Sequence, residues 1–208
     1  MPVPDGLDLR AAALIMVLST AYGLIHEAAR LRPGESILVH SAAGGVGTVA
    51  RLAGAAAVYG VVSRPDKADH ARAHGYGEVY LERDFEAQVR RASGGRGVDV
   101  FLDPVGGDIW RRSLGTLALF GRAISFGNAS GADPWTADMA QWAPRALSVH
   151  GFSILSLGTA APRRLRALTE AALRRGHAGW RNRADHRRVS LGAGGGGPPA
   201  DRQPRQHR

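Results

Sequence analysis

The stretch SILVHSAAGGVGTVA, Ser36 to Ala50, constrains the fold more than any other part of this chain. An apolar, β-branched run ends in a glycine-rich turn, and the turn opens directly into helix-forming residues. Strand, glycine turn and helix in that order are what a mononucleotide-binding unit requires, because the helix start must offer backbone N–H groups to a phosphate. In Ala42-Ala43-Gly44-Gly45-Val46-Gly47 the spacing is that of G-x-G-x-x-G with alanine in the first place. On this reading Gly44 lets the backbone approach a pyrophosphate and Gly47 lets the helix pack closely on its strand. The alternative is a tight turn with no ligand.

The same unit repeats. Apolar runs fall at Ser36–Ser41, Val58–Ser63, Glu78–Leu81, Val98–Asp103, Arg122–Gly127 and Leu147–Ile154. Helical segments are expected between them at Val46–Ala57, Lys67–His74, Phe85–Ala92, Ile109–Leu117, Met139–Arg145 and Pro162–Arg175. Several runs are apolar at successive positions, as strands covered by helices on both faces must be. The fold class is therefore α/β: a doubly wound, six-stranded parallel sheet of Rossmann type, in spatial order 3-2-1-4-5-6. Leu9–Met16 and Thr20–Leu31 read as two connecting helices before it. Three regions follow: connector helices over 1–34, a dinucleotide-binding domain over 35–176 and a disordered tail over 177–208, where Gly, Pro and Arg dominate and no apolar period survives.

About 20 residues after such glycines, an NAD site places an acid on the ribose hydroxyls. Ser63-Arg64-Pro65-Asp66-Lys67 occupies that place here. Arg64 and Lys67 suit a 2′-phosphate, so NADP is favoured over NAD; the plainer reading of both is a solvated helix start.

Composition excludes more than it assigns. The net charge is +9, but much of the excess lies after Ala172, with no aromatic interleaving or helix-turn-helix pattern, so nucleic acid is not an expected partner. No cysteine is present, which removes thiolate zinc sites. The histidines are scattered and no metal site is expected. No apolar run is long enough to span a membrane, and a cytoplasmic protein is the expectation. No G-x-S-x-G occurs, which argues against hydrolase chemistry. Asp103, at the end of the fourth run, reads better as a residue that caps the next turn than as a catalytic acid.

HSAAGGVGTVA, GGRGVDVFLDPVGGD, GRAISFGNASG and HGFSI, in this order and preceded by DGLDLRAAAL and STAYGLI, resemble the zinc-free quinone oxidoreductases. These form the zeta-crystallin branch of the medium-chain dehydrogenase/reductase superfamily. The likeness runs from about Pro4 to Gly176. It implies NADP(H) as cofactor, with Ala43, Gly44, Gly45 and Val46 at the pyrophosphate and Ser63, Arg64 and Lys67 at the adenosine ribose and its phosphate. It places Asp103, Val105 and Gly106 beside the cofactor, and Phe126, Gly127 and Asn128 at the nicotinamide with Thr20 close by. It implies metal-free hydride transfer to a quinone or activated enone, and a homodimer through Leu147–Ile154.

The departures matter as much. The family carries a GroES-like catalytic domain of roughly a hundred residues ahead of this point, and the present sequence is expected to lack it. LAGAAAV and GYGEVYLERDF are shorter than the family's segments, and Tyr80 is out of register with a tyrosine the family places near the cofactor phosphate. With suitable GC-rich codons, GGPPADRQPRQHR shifted by one base reads EAHRLIASRANT, a family-like ending, so a frameshift between Gly176 and Gly197 is expected. Two functions compete: an NADPH-dependent reductase of quinones or enones, and a nucleotide-binding module without turnover.

Overall fold

A computed structural model describes residues 15–50, 55–132 and 139–181. Six strands, β1 (Ser36–His40), β2 (Ala57–Val62), β3 (Glu78–Leu81), β4 (Val98–Asp103), β5 (Leu117–Ser125) and β6 (Ser148–Gly151), form one sheet. All pairings are parallel and the order is β3-β2-β1-β4-β5-β6, as the repeat predicts. The helices are α1 (Ile15–Tyr22), α2 (Gly45–Ala50), α3 (Pro65–Ala73), α4 (Phe85–Ala92), α5 (Gly107–Leu114), α6 (Met139–Trp142), α7 (Ile154–Ala160) and α8 (Pro162–Arg181).

Every residue of β1 is buried. Ile37 and Val39 join Leu24, Ile25, Val62, Val100, Leu102 and Ile124 on one face. Leu38 joins Val61, Phe85, Val89, Phe101 and Trp110 on the other. Two cores on opposite faces of one sheet explain why the strands read as continuous apolar runs rather than alternating ones. Among the described residues no helix is long and apolar enough to cross a membrane.

Several boundaries differ from expectation, each for a local reason. The expected break between Met16 and Thr20 is absent. α1 runs through it and continues as a π-helical turn over Gly23–Ala28, ending where Arg30 takes a left-handed φ of 48°. Ala57 opens β2 rather than closing a helix. β5 starts at Leu117, not Arg122, and its register with β4 shifts between Val98 and Val100. Phe120 adopts φ 60° there and points into solvent, which interrupts the apolar run. β6 is shorter than Leu147–Ile154, because Ser153 caps a helix unforeseen in the sequence: its hydroxyl accepts from the Ser156 N–H at 3.2 Å, and Ile154 is already helical. α8 continues past Gly176 to Arg181. The expected helical start at Leu9, residues 52–54 of the LAGAAAV segment, the tail from 182 onward and the frameshift reading lie outside the described residues.

Candidate cofactor site

Parallel strands deliver their C-terminal ends to one edge of the sheet, and four predicted segments meet along it. Ser41 follows β1, Ser63 follows β2, Asp103 ends β4 and Phe126 follows β5. These four strands are neighbours in the order β2-β1-β4-β5. Between β1 and β4 the chain changes the side on which it adds strands, and such a switch point opens the crevice where ligands bind in this architecture.

The glycine turn is held from three sides. Ala42 N–H donates to the Val61 carbonyl at 3.1 Å and Gly44 N–H to the Ser41 carbonyl at 2.8 Å, with Ser41 at φ 53°. A side chain at Gly47 would place its Cβ 2.6 Å from the Ser41 oxygen and 2.7 Å from the Ala42 Cα, closer than packing permits. Gly47 is therefore the close helix–strand contact that the spacing predicts. At Gly45 a Cβ would meet Val17 of α1 at 3.2 Å. Gly44 and Gly45 are exposed, while Ala43 and Val46 are half-buried against the core. Since the Gly44 N–H is spent inside the turn, the donors left for an anion are those of the first turn of α2, Gly45 and Val46, which have no carbonyl four residues behind them within the helix. Thr20 lies buried on α1, and its hydroxyl is spent on the Met16 carbonyl at 2.7 Å.

Asp103 is fully buried and organises the second segment. Its two carboxylate oxygens accept the Val105 and Gly106 N–H groups at 2.7 and 3.1 Å. Burial pushes its pKa up; the two amide hydrogen bonds oppose that shift and Glu82 adds to it. Both oxygens serve the loop, so the capping role anticipated from the sequence is the one seen. Gly106 and Gly107 take φ of 77° and 58°, which only glycine adopts without strain.

The third segment closes on the second. Phe126 N–H donates to the Asp103 carbonyl, Ala129 N–H to Pro104 and Ser130 N–H to Val105, at 2.9–3.0 Å. A Cβ at Gly127 would come 2.9 Å from the Pro104 oxygen. The Asn128 amide donates to the Ala132 carbonyl at 2.9 Å, and its oxygen accepts the Ser130 hydroxyl at 3.0 Å. Its side chain thus shapes the loop, while Phe126 is half-buried against the core cluster of Ile37, Val39, Val100 and Leu102.

At the β2 end, Ser63, Arg64 and Lys67 are exposed. The Lys67 ammonium donates to the Ser63 hydroxyl at 3.2 Å. The Arg64 guanidinium grips Asp66 through Nε and Nη2 at 3.1 and 3.0 Å, and that contact raises the Arg64 pKa and lowers that of Asp66. An incoming phosphate would meet a cation with a resident partner.

Three supporting residues escaped the sequence reading. The buried Tyr76 hydroxyl donates to the Gly47 carbonyl at 2.7 Å and so ties the end of α3 to the glycine turn. Gly60 of β2 leaves the space for it, since a Cβ there would lie 2.9 Å from the Tyr76 ring. The clue was an aromatic between two glycines, Gly75-Tyr76-Gly77. His40, next to the turn, is buried against Phe85 and Phe101, with Nε2 2.7 Å from the Ser113 hydroxyl. Tyr80 packs in the core cluster containing Phe85, away from the turn, as its register implies.

Comparison with known proteins agrees with this geometry. The family described as zinc-binding dehydrogenase matches residues 45–172. The chain is 43% identical over 136 residues to a quinone oxidoreductase of Pseudomonas aeruginosa, covering 62% of this chain and 42% of that protein. It is 41% identical over 142 residues to a 2-haloacrylate reductase of a Burkholderia species, covering 64% and 42%. The nucleotide-binding subdomain of the enoylreductase domain of PpsC from Mycobacterium tuberculosis matches in structure with a TM-score of 0.72 at 28% identity, over 80% of this chain and 95% of that one. The chain spans less than half the length of the two curated relatives. The glycine turn, the strand order and these matches together establish that the chain belongs to the zinc-binding dehydrogenase family of the medium-chain dehydrogenase/reductase superfamily, and corresponds to the nucleotide-binding part of its reductases.

Proposed function

We propose that this chain is the NADPH-binding part of a metal-independent reductase of quinones or activated enones. The observation that carries the reading is the meeting of the glycine turn with the Asp103 and Phe126 loops at the switch point of the sheet. The exposed Gly44 and Gly45, on a helix start that Gly47 lets pack closely against its strand, fit a pyrophosphate. Gly45 and Val46 would hold it through backbone N–H groups. Arg64 and Lys67 would hold the 2′-phosphate, and Phe126–Asn128 with Val105 and Gly106 would bound the nicotinamide. Bound there, NADPH supplies the hydride; this chain's residues hold it, orient it and shield one side from water. Two relatives support the acceptor class: one is a quinone oxidoreductase, and another reduces a 2-haloacrylate, an alkene polarised by a carboxylate.

A second reading, a binding module without turnover of its own, is favoured by the share of the relatives that the chain spans, 42% in both. Pairing of two copies along β6, which ends the strand order, is part of the proposal. Titration with NADPH and NADH, followed by addition of benzoquinone or 2-chloroacrylate, tests both readings. NADPH should bind more tightly, and Arg64→Ala should reduce that preference by on the order of tenfold. NADPH consumption by the 208-residue chain selects the reductase over the module, and equal affinity for NADH would refute the NADP assignment.

A further inference from the structure

We propose that His70, exposed on α3, and His74, the half-buried C-cap one turn further on, form a two-imidazole chelate for a divalent transition-metal ion. Read along the sequence, the histidines are scattered; α3 brings these two together. Residues four apart on a helix share a face, and the two rings lie with centroids 4.1 Å apart at an interplanar angle of 30°.

Three further features prepare them as ligands. His74 Nδ1 is 2.8 Å from the His70 carbonyl oxygen. A carbonyl can only accept, so Nδ1 carries the proton and the Nε2 lone pair is left free. A ring N–H held by a backbone carbonyl is the outer-sphere arrangement that orients metal-ligating histidines. The backbone of His74 is also fixed. It is the C-cap of α3, followed by Gly75 at φ 93°, with Gly75 N–H on the Arg72 carbonyl at 2.8 Å and Tyr76 N–H on Ala71 at 3.2 Å. Tyr76 is anchored in turn on Gly47. Finally, the charged neighbours on α3 are paired elsewhere, Asp66 with Arg64 and Asp69 with Arg72.

Imidazole pairs suit Cu²⁺, Ni²⁺ and Zn²⁺ and not Ca²⁺ or Mg²⁺, which prefer oxygen. Among the described residues no group of three or more His, Cys, Asp or Glu surrounds a common point, so water would complete the coordination sphere and the ion would exchange readily.

The test is a calorimetric titration of the full chain with Cu²⁺, alongside electron paramagnetic resonance. Wild type should bind an ion whose spectrum shows two imidazole nitrogens. His70→Ala and His74→Ala should each weaken that site by on the order of 100-fold, since losing one ligand removes the chelate advantage. The double variant should then lose little more. Circular dichroism and metal-free melting of each variant, with His70→Gln as a polar control, check that the fold is kept. Affinities of the single variants within about threefold of wild type, or a wild-type spectrum with one imidazole, would overturn the proposal.

Discussion

Gly47 and Asp103 were both singled out in the sequence, and both owe their roles to backbone geometry. Gly47→Ala would drive a methyl group against the Ser41 and Ala42 backbone, which cannot swing aside as a side chain would. The expected cost is about 1–3 kcal/mol, the usual range for overpacking, read in urea melts, with weaker nucleotide binding. Asp66 invites the opposite change. It occupies the Arg64 guanidinium and would repel a phosphate, so Asp66→Asn should raise affinity for NADPH while leaving NADH nearly unchanged. A fall in NADPH affinity would show that the pair itself positions the arginine. His40 gives a pH signature. Burial, then Arg112, lowers its pKa from 6.5 to about 3, so the unfolded chain takes up a proton that the folded chain refuses. Its contribution to stability is complete above pH 6.5 and is lost as pH falls toward 3, at roughly 1 kcal/mol per pH unit. Urea melts at pH 7, 5.5 and 4.5 should show that slope, and His40→Asn should flatten it. Pairings such as Arg64 with Asp66, Asn128 with Ala132 and Tyr76 with Gly47 were not legible in the sequence, because each depends on where a loop turns and not on residue spacing.

Elements were legible where one rule decided them. β3, β4 and α4 fall where apolar period and turn residues put them; β4, covered on both faces, leaves a run that no surface element imitates. Errors came where tertiary packing overruled local signals. α1 runs through Ser19-Thr20 because its flank is covered by α8, where the buried Ser19 hydroxyl donates to the Thr169 hydroxyl at 3.0 Å and Thr169 donates on to the Leu165 carbonyl. α7 replaced the end of the expected sixth strand because Ser153 supplied a cap that a bare apolar count overlooks. The α1–α8 contact carries its own prediction. Ser19→Ala should lower stability by about 1 kcal/mol, the typical worth of one hydrogen bond, and speed amide exchange in α8 more than in the sheet. Uniform exchange across both would mean that the two helices are not coupled through this pair.

For the whole molecule, the edges of the sheet and its C-terminal rim divide the work. β6 ends the strand order, all four of its residues are exposed, and Val149 and Leu155 present apolar surface beside it. An open edge of this kind invites pairing. Light scattering should find a dimer at micromolar concentration, and Val149→Lys should shift it to monomer. A monomeric wild type would remove the β6 interface from the account. The rim carries the central claim, that four loops from adjacent strands form one nucleotide site. Backbone NMR of the ¹⁵N-labelled chain during NADPH titration tests it most directly. Saturating shifts should appear together at Gly45–Gly47, Ser63–Lys67, Val105–Gly106 and Phe126–Asn128, with one dissociation constant for all four. Shifts confined to one loop, or gathered away from this edge, would contradict it.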